Sequence, residues 1–152
     1  MKPRETPIGL LLAQTAKVVG QAFDDTLAAA GGSTSTWLVL LALMRGSHRT
    51  QRDLAAEVGV RGPTLTHHLN GMEQAGLLTR ARRPDNRREH EVALTDGGRA
   101  LFHRLRSAAA AHDVRLRQVF DPHELETLRA LLGRMAQTVR PPASAGRGLE
   151  EA

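Results

Sequence analysis

Glycine and proline cut residues 50–76 into a short helix, a tight turn and a longer helix, and this punctuation constrains the fold more than any other feature of the chain. Thr50 can cap the first of these helices, with Asp53 three residues on, the spacing of a capping box. Leu54, Ala55 and Val58 face inward, Gly59 breaks the helix, and Val60 is placed to plug the core at the turn. The next helix begins near Gly62-Pro63, because proline suits a first helical turn where its missing N–H is not needed. Leu65, Leu69 and Met72 recur at i, i+4 and i+7 as its buried stripe, and Gly76 closes it.

That stripe leaves a solvent face made of Arg61, Pro63, Thr64, Thr66, His67 and Asn70. A plain solvated surface helix usually carries several Glu and Lys residues in i, i+4 pairs. Here Glu73 is the only charged residue between Gly62 and Leu78. Short hydroxyl and amide groups let a helix enter the DNA major groove and bond to base edges, while a threonine methyl can touch a thymine methyl. The helix N-terminus adds open N–H groups and a positive dipole end for phosphates.

A hairpin follows. Leu77-Leu78-Thr79-Arg80 begins a strand, and His90 to Thr95 alternates polar residues with Val92 and Leu94. Between them lies a turn built on Pro84, Asp85 and Asn86. Five arginines fall from Arg80 to Arg88 against one acid, Asp85. Charge on a hairpin can simply guard a sheet edge. Directly after a helix pair of this kind, clustered guanidinium groups suit phosphates and the negative potential of a minor groove. Short helix, turn, longer helix and basic hairpin together are the layout of a winged helix-turn-helix. The expected fold is mainly α with a small β-hairpin wing. The residues expected to contact DNA are Thr50, Gln51, Arg61, Pro63, Thr64, Thr66, His67, Asn70, Arg82, Arg87 and Arg88.

The whole run resembles the MarR family of bacterial transcription regulators. The residues that carry the resemblance are T-Q-R-D-L-A at 50–55, V-G-V at 58–60, P-T-L-T-H-H-L at 63–69, M-E-Q-A-G-L-L at 72–78 and R-R-P-D-N-R-R…V-A-L-T-D-G-G at 82–98. Where the family places a basic residue in the recognition helix, this chain has His67. Where its wing carries an acid two places before an arginine, Asn86 precedes Arg88, and Asp85 stands one place early. The resemblance implies that Arg88 probes the minor groove, and that the protein is a homodimer on a pseudo-palindromic operator. It further implies a small, aromatic, anionic effector bound between the dimerisation helices and the winged domain.

The flanks are helical. From Ile8 to Ala30, Leu11, Leu12, Thr15, Val18, Val19, Ala22, Phe23 and Leu27 recur at three- and four-residue steps. Thr34 or Ser35 can cap a second helix, whose residues Trp37, Leu38, Leu40, Leu41 and Met44 make it apolar nearly all round, as a buried strut would be. After Thr95-Asp96, Leu101, Leu105, Ala108, His112, Leu116 and Val119 form one stripe. Asp121, Pro122 and Glu124 then supply an N-cap, an N1 proline and a capping-box acid for a last helix striped by Leu125, Leu128, Leu132, Met135 and Val139. A winged helix of about 60 residues is too small to cover these stripes, so a second copy is expected to bury them. An internal helical bundle is the alternative. The expected organisation is a flexible arm at 1–7 and one domain at 8–140, with the winged part at about 34–98 and dimerisation helices at about 8–30 and 96–139. A disordered tail at 141–152 completes it.

Composition then excludes classes. The chain has 152 residues, a formal net charge of +5 and no cysteine, which removes disulfides, zinc–thiolate sites and cysteine redox sensing. No stretch approaches the roughly 18 apolar residues of a membrane span, and the N-terminal apolar run is too short for a signal peptide, so a cytoplasmic protein with no membrane partner is expected. No G-x-S-x-G, Gly-rich phosphate loop or H-E-x-x-H occurs, so no enzyme and no cofactor are expected. Seven histidines raise a metal-responsive alternative, with His48, His103, His112 or His123 as ligands, beside a non-sensing architectural DNA binder. Against metal, His67 and His68 are adjacent and point to different helix faces, and His103 and His112 fall on opposite faces. His112, on an apolar stripe, reads as a satisfied interface residue. An effector pocket could use Trp37 as a stacking platform and Arg45 and His48 as anion ligands, although a lone tryptophan is more often core.

Overall fold

The computed structural model describes residues 6–46, 49–82 and 90–139. His48, Arg87 and Arg88, the proposed arm up to residue 5 and the tail from 140 lie outside the described residues, as does the side chain of Arg82. The chain order is α1 (Ile8–Ala29), α2 (Thr34–Arg45), β1 (Arg49–Thr50), α3 (Gln51–Val58), α4 (Gly62–Gln74), β2 (Leu78–Arg82), β3 (His90–Leu94), α5 (Asp96–Arg117) and α6 (Pro122–Val139). It separates into two compact units, Met1–His112 and Asp113–Ala152.

In the first unit α2 is the strut around which the core forms. Val39, Leu40, Ala42 and Leu43 are buried there, together with Leu27 of α1, Leu54 of α3, Leu65, Leu69 and Met72 of α4, Leu78 and Val92 of the sheet, and Leu101, Phe102 and Leu105 of α5. Each fully buried leucine contributes about 1.5–3 kcal/mol relative to an exposed one. The α4 stripe read from i, i+4, i+7 spacing is this buried face. Ala55, Val58 and Val60 pack against the same core at its margin. The helix start is shifted from the expectation at α2. Ser33, extended at φ −144° and ψ 168°, is the N-cap, and its Oγ accepts from the Thr36 N–H. Thr34 instead donates its hydroxyl to Asp24 of α1.

The sheet has three strands in the order β1-β3-β2, both pairs antiparallel. The hairpin register sets Leu78 opposite Leu94 and Arg80 opposite Val92. The two-residue strand β1, pairing Arg49 with Val92 and Thr50 with Glu91, was not anticipated. A pair of residues is too short to show an alternation.

The α5 stripe holds only in part. Leu101, Leu105 and His112 are buried, but the helix ends at Arg117, Leu116 is exposed and Val119 lies beyond the helix. In the second unit Asp121 and Glu124 close the expected capping box. Asp121 Oδ1 accepts from the Glu124 N–H at 2.8 Å, and Glu124 Oε2 accepts from the Asp121 N–H at 3.0 Å. No residue of α6 is buried, and Leu131, Leu132 and Val139 are exposed. On α1, Ile8, Leu10, Leu11, Leu12 and Val18 are exposed as well. Among the described residues no single helix is long and apolar enough to cross a membrane.

Candidate nucleic-acid interface

The turn between α3 and α4 sets the interface. Thr50 caps α3 through its Oγ1, which accepts from the Asp53 N–H at 3.2 Å. Gly59 ends α3 with φ +74°, left-handed backbone that an L side chain rarely adopts. Arg61 is the extended N-cap of α4 and makes no side-chain cap bond. The first-turn N–H groups of Gly62 and Thr64 therefore have no side-chain acceptor from the cap, and both residues are exposed.

Arg61, Pro63, Thr64, His67 and Asn70 are exposed along α4, on the side away from the buried stripe. Thr66 and Gln51 are half-buried and bonded to each other. Gln51 Nε2 donates to Thr66 Oγ1 at 2.8 Å, and the Thr66 hydroxyl donates to the Gly62 carbonyl at 3.0 Å. The single hydroxyl proton of Thr66 is thus committed to its own helix. What it can still offer a base is a lone pair. Gln51 ties the first turn of α3 to the face of α4, so the two helices present one surface.

The base of the wing is tied to α4 as well. Arg80 of β2 donates from Nε and Nη2 to Glu73 Oε2 at 3.0 and 2.5 Å, and from its backbone N–H to Glu73 Oε1 at 3.2 Å. Its Nη2 also donates to Asn70 Oδ1 at 2.7 Å. The single acid of α4 and one of the five hairpin arginines therefore neutralise each other. On the other side, Thr95 Oγ1 donates to the Gly76 carbonyl at 2.6 Å and accepts from the Gly98 N–H at 3.0 Å. The Thr95 N–H donates to the Leu77 carbonyl at 3.2 Å. In the sequence Arg80 stands only as a strand residue within the arginine cluster, and Gly98 only as part of the motif at 82–98. The signal for Arg80 was present as the lone acid of α4 facing it across the Gly76 turn.

Other expected sites fall differently. The rings of His67, exposed, and His68, half-buried, lie 6.0 Å apart and tilted by 59°. Among the described residues no group of three His, Asp or Glu side chains could hold a metal ion. Trp37 stacks on Phe102, with centroids 5.4 Å apart and planes at 10°, and packs on the core. Arg45 lies at the far end of α2, beside a separate cleft of about 330 Å³ that Arg99 also lines, and 3.9 Å from Glu57. Trp37 and Arg45 do not share a cavity among those described. A larger open cavity of about 610 Å³ sits at the α1–α2 turn, lined by Phe23, Asp24, Asp25 and Ser33 to Ser35. His112 is buried. Nδ1 lies 3.4 Å from Thr26 Oγ1 and its ring 5.3 Å from that of Phe23, while Nε2 has no hydrogen-bond partner among the described residues.

Comparison with known proteins places this geometry. A family model described as MarR family matches residues 31–89. The HTH-type transcriptional regulator YdgJ of Bacillus subtilis is 35% identical over 83 residues, 55% of this chain and 49% of the relative. The regulator PecS of Dickeya dadantii is 37% identical over 76 residues, 50% of this chain and 46% of the relative. The chain thus spans about half the length of these curated relatives. Among solved structures, the transcriptional repressor CouR bound to a 23-mer DNA duplex is 30% identical, with a TM-score of 0.77, over 88% of this chain and 93% of that one. CouR bound to p-coumaroyl-CoA is 27% identical, with a TM-score of 0.74, over 86% and 92%. The relatives are transcription regulators and not enzymes. Helix pair, wing and flanking helices agree with these likenesses, and the chain belongs to the MarR family of winged helix-turn-helix transcription regulators.

Proposed function

We propose that the protein is a homodimeric, sequence-specific DNA-binding transcription regulator, a repressor that a small aromatic anion releases. The observation that carries the reading is the surface of α4. It is exposed, carries no acid that is not ion-paired, and is held in place from α3 by Gln51. Pro63, Thr64, Thr66 and His67 read base edges in the major groove, while Thr50, Gln51 and Arg61 lie toward the backbone. Arg82, Arg87 and Arg88 of the wing reach phosphates and the minor groove. The apolar residues exposed on α1, and separately on α6, are the surfaces a second copy covers. Two copies then space their recognition helices about one DNA turn, roughly 34–36 Å, apart.

Release requires an effector that prefers a dimer whose recognition helices are spaced wrongly for DNA. CouR, seen once with DNA and once with p-coumaroyl-CoA, supports an effector with an aromatic acyl group. The test is random-pool DNA selection with the full chain at fixed salt, repeated with p-coumaroyl-CoA and simple phenolic acids, and with light scattering for mass. The expected result is a pseudo-palindrome bound by a dimer and lost with ligand. A pool in which no sequence is enriched overturns the function. Enrichment that no aromatic acid reverses overturns the effector class.

A further inference from the structure

We propose that Arg80 is a positioning residue that sets what the recognition helix can read, and not a contact to DNA phosphate; this rests on the DNA-reading function above. Its place in an arginine-rich hairpin suggests a phosphate ligand, but its bonds go elsewhere. Two of its guanidinium nitrogens, Nε and Nη2, and its backbone N–H are committed to Glu73 and Asn70 of α4. The side chain is only 19% exposed, whereas a phosphate ligand needs an accessible head.

The consequence falls on Asn70. A guanidinium only donates, so Asn70 must turn its carbonyl oxygen toward Arg80 and offer its NH₂ outward. The side-by-side pairing of asparagine with adenine needs the carbonyl and the NH₂ together, one on N6 and the other on N7. The bond takes one of the two carbonyl lone pairs and fixes which way the amide faces, so Asn70 leads with its NH₂, suited to a guanine O6 or N7 or to a phosphate oxygen. The same guanidinium joins β2 to α4, so it also fixes the angle at which the wing leaves the recognition helix.

The experiment compares the wild-type chain with Arg80→Ala, Arg80→Lys, Glu73→Gln, the double variant Glu73→Gln/Arg80→Ala, and Arg87→Ala as a wing control. Affinity for the selected operator is measured across salt, and base preference by re-selection. A lost phosphate contact lowers the slope of log K against log salt by about 0.9. Arg80→Ala is expected to keep the wild-type slope, to lower the ratio of specific to non-specific affinity about tenfold, and to change base preference at one position as the Asn70 amide is freed to turn. Arg80→Lys keeps the charge without the planar fork and is expected to show the same shift. The double variant is expected to be no worse in specificity than Arg80→Ala, because both changes break one network. Thermal melting checks that each variant is folded, and Arg80→Lys serves if Arg80→Ala is not. A slope reduced by about one unit, full rescue by lysine, or multiplying losses in the double variant overturns the proposal. A wild-type chain that selects no sequence overturns the DNA-reading function and this inference with it. A selective wild type combined with a reduced slope in Arg80→Ala overturns the inference alone.

Discussion

Gly98 gives the sharpest quantitative test of how the wing is anchored. A Cβ at this position would lie 2.0 Å from the Leu77 carbonyl oxygen, and 3.0 Å from both the Leu77 carbonyl carbon and Leu94 Cδ2. The first of these partners is backbone, so no side chain can swing away. The same oxygen accepts from the Thr95 N–H, and moving it strains the bond that joins wing to α5. Two effects compete in Gly98→Ala. Alanine gains at most about 0.8–1 kcal/mol in helix propensity, less in a first turn. Overpacking against backbone costs about 1–3 kcal/mol, and here the upper end applies because the overlap is deep. The net loss expected is about 1–2 kcal/mol, which lowers Tm by about 2–8 °C in a chain of this size. Gly71→Ala is the control, a glycine inside α4 with no atom within 4 Å of its added Cβ. There the propensity term stands alone, and a gain of about 0.5–1 kcal/mol is expected. Urea and thermal unfolding at one protomer concentration measure both, since association would otherwise shift each midpoint. If Gly98→Ala proves as stable as Gly71→Ala, the wing root yields freely and the anchoring argument is wrong.

Four further outcomes are expected. Thr66→Val keeps the shape of the side chain but removes the partner of Gln51; it should alter base preference, and Gln51→Ala added to it should cost little more, measured as a double-mutant cycle on the operator. His67→Ala should change which sequences are selected, whereas an equal loss on every sequence would mean that it meets phosphate. Arg88→Ala should weaken binding by about 1–3 kcal/mol and reduce preference for A·T-rich flanks in a binding titration; unchanged affinity would remove it from the groove. Asp121→Ala opens the capping box of α6 and should cost about 1 kcal/mol in urea unfolding, less if α6 frays without it.

What the sequence determined here is local. Capping at Thr50 and Asp121, helix ends at Gly59 and Gly76, and the stripe Leu65-Leu69-Met72 each depend on residues within one or two turns, so spacing alone reveals them. The hairpin was legible for the same reason. The relation between elements was not. Ser33 rather than Thr34 caps α2 because Asp24, ten residues before Thr34, holds that hydroxyl. Strand β1 exists only because β3, some forty residues on, offers it a ladder. Trp37 stacks on Phe102, 65 residues on, and among the described residues the His112 Nε2 has no partner, which no stripe could foretell. Composition likewise counted Arg80 among five equivalent arginines, and tertiary structure removed it from that set by placing Glu73 and Asn70 against it. Backbone preference and amphipathic period act over a few residues, whereas the partner of a charged or polar side chain is chosen by packing between distant segments. The sequence therefore determined that this chain carries a helix pair and a basic wing. Only the fold decided which of their polar groups remain available to DNA.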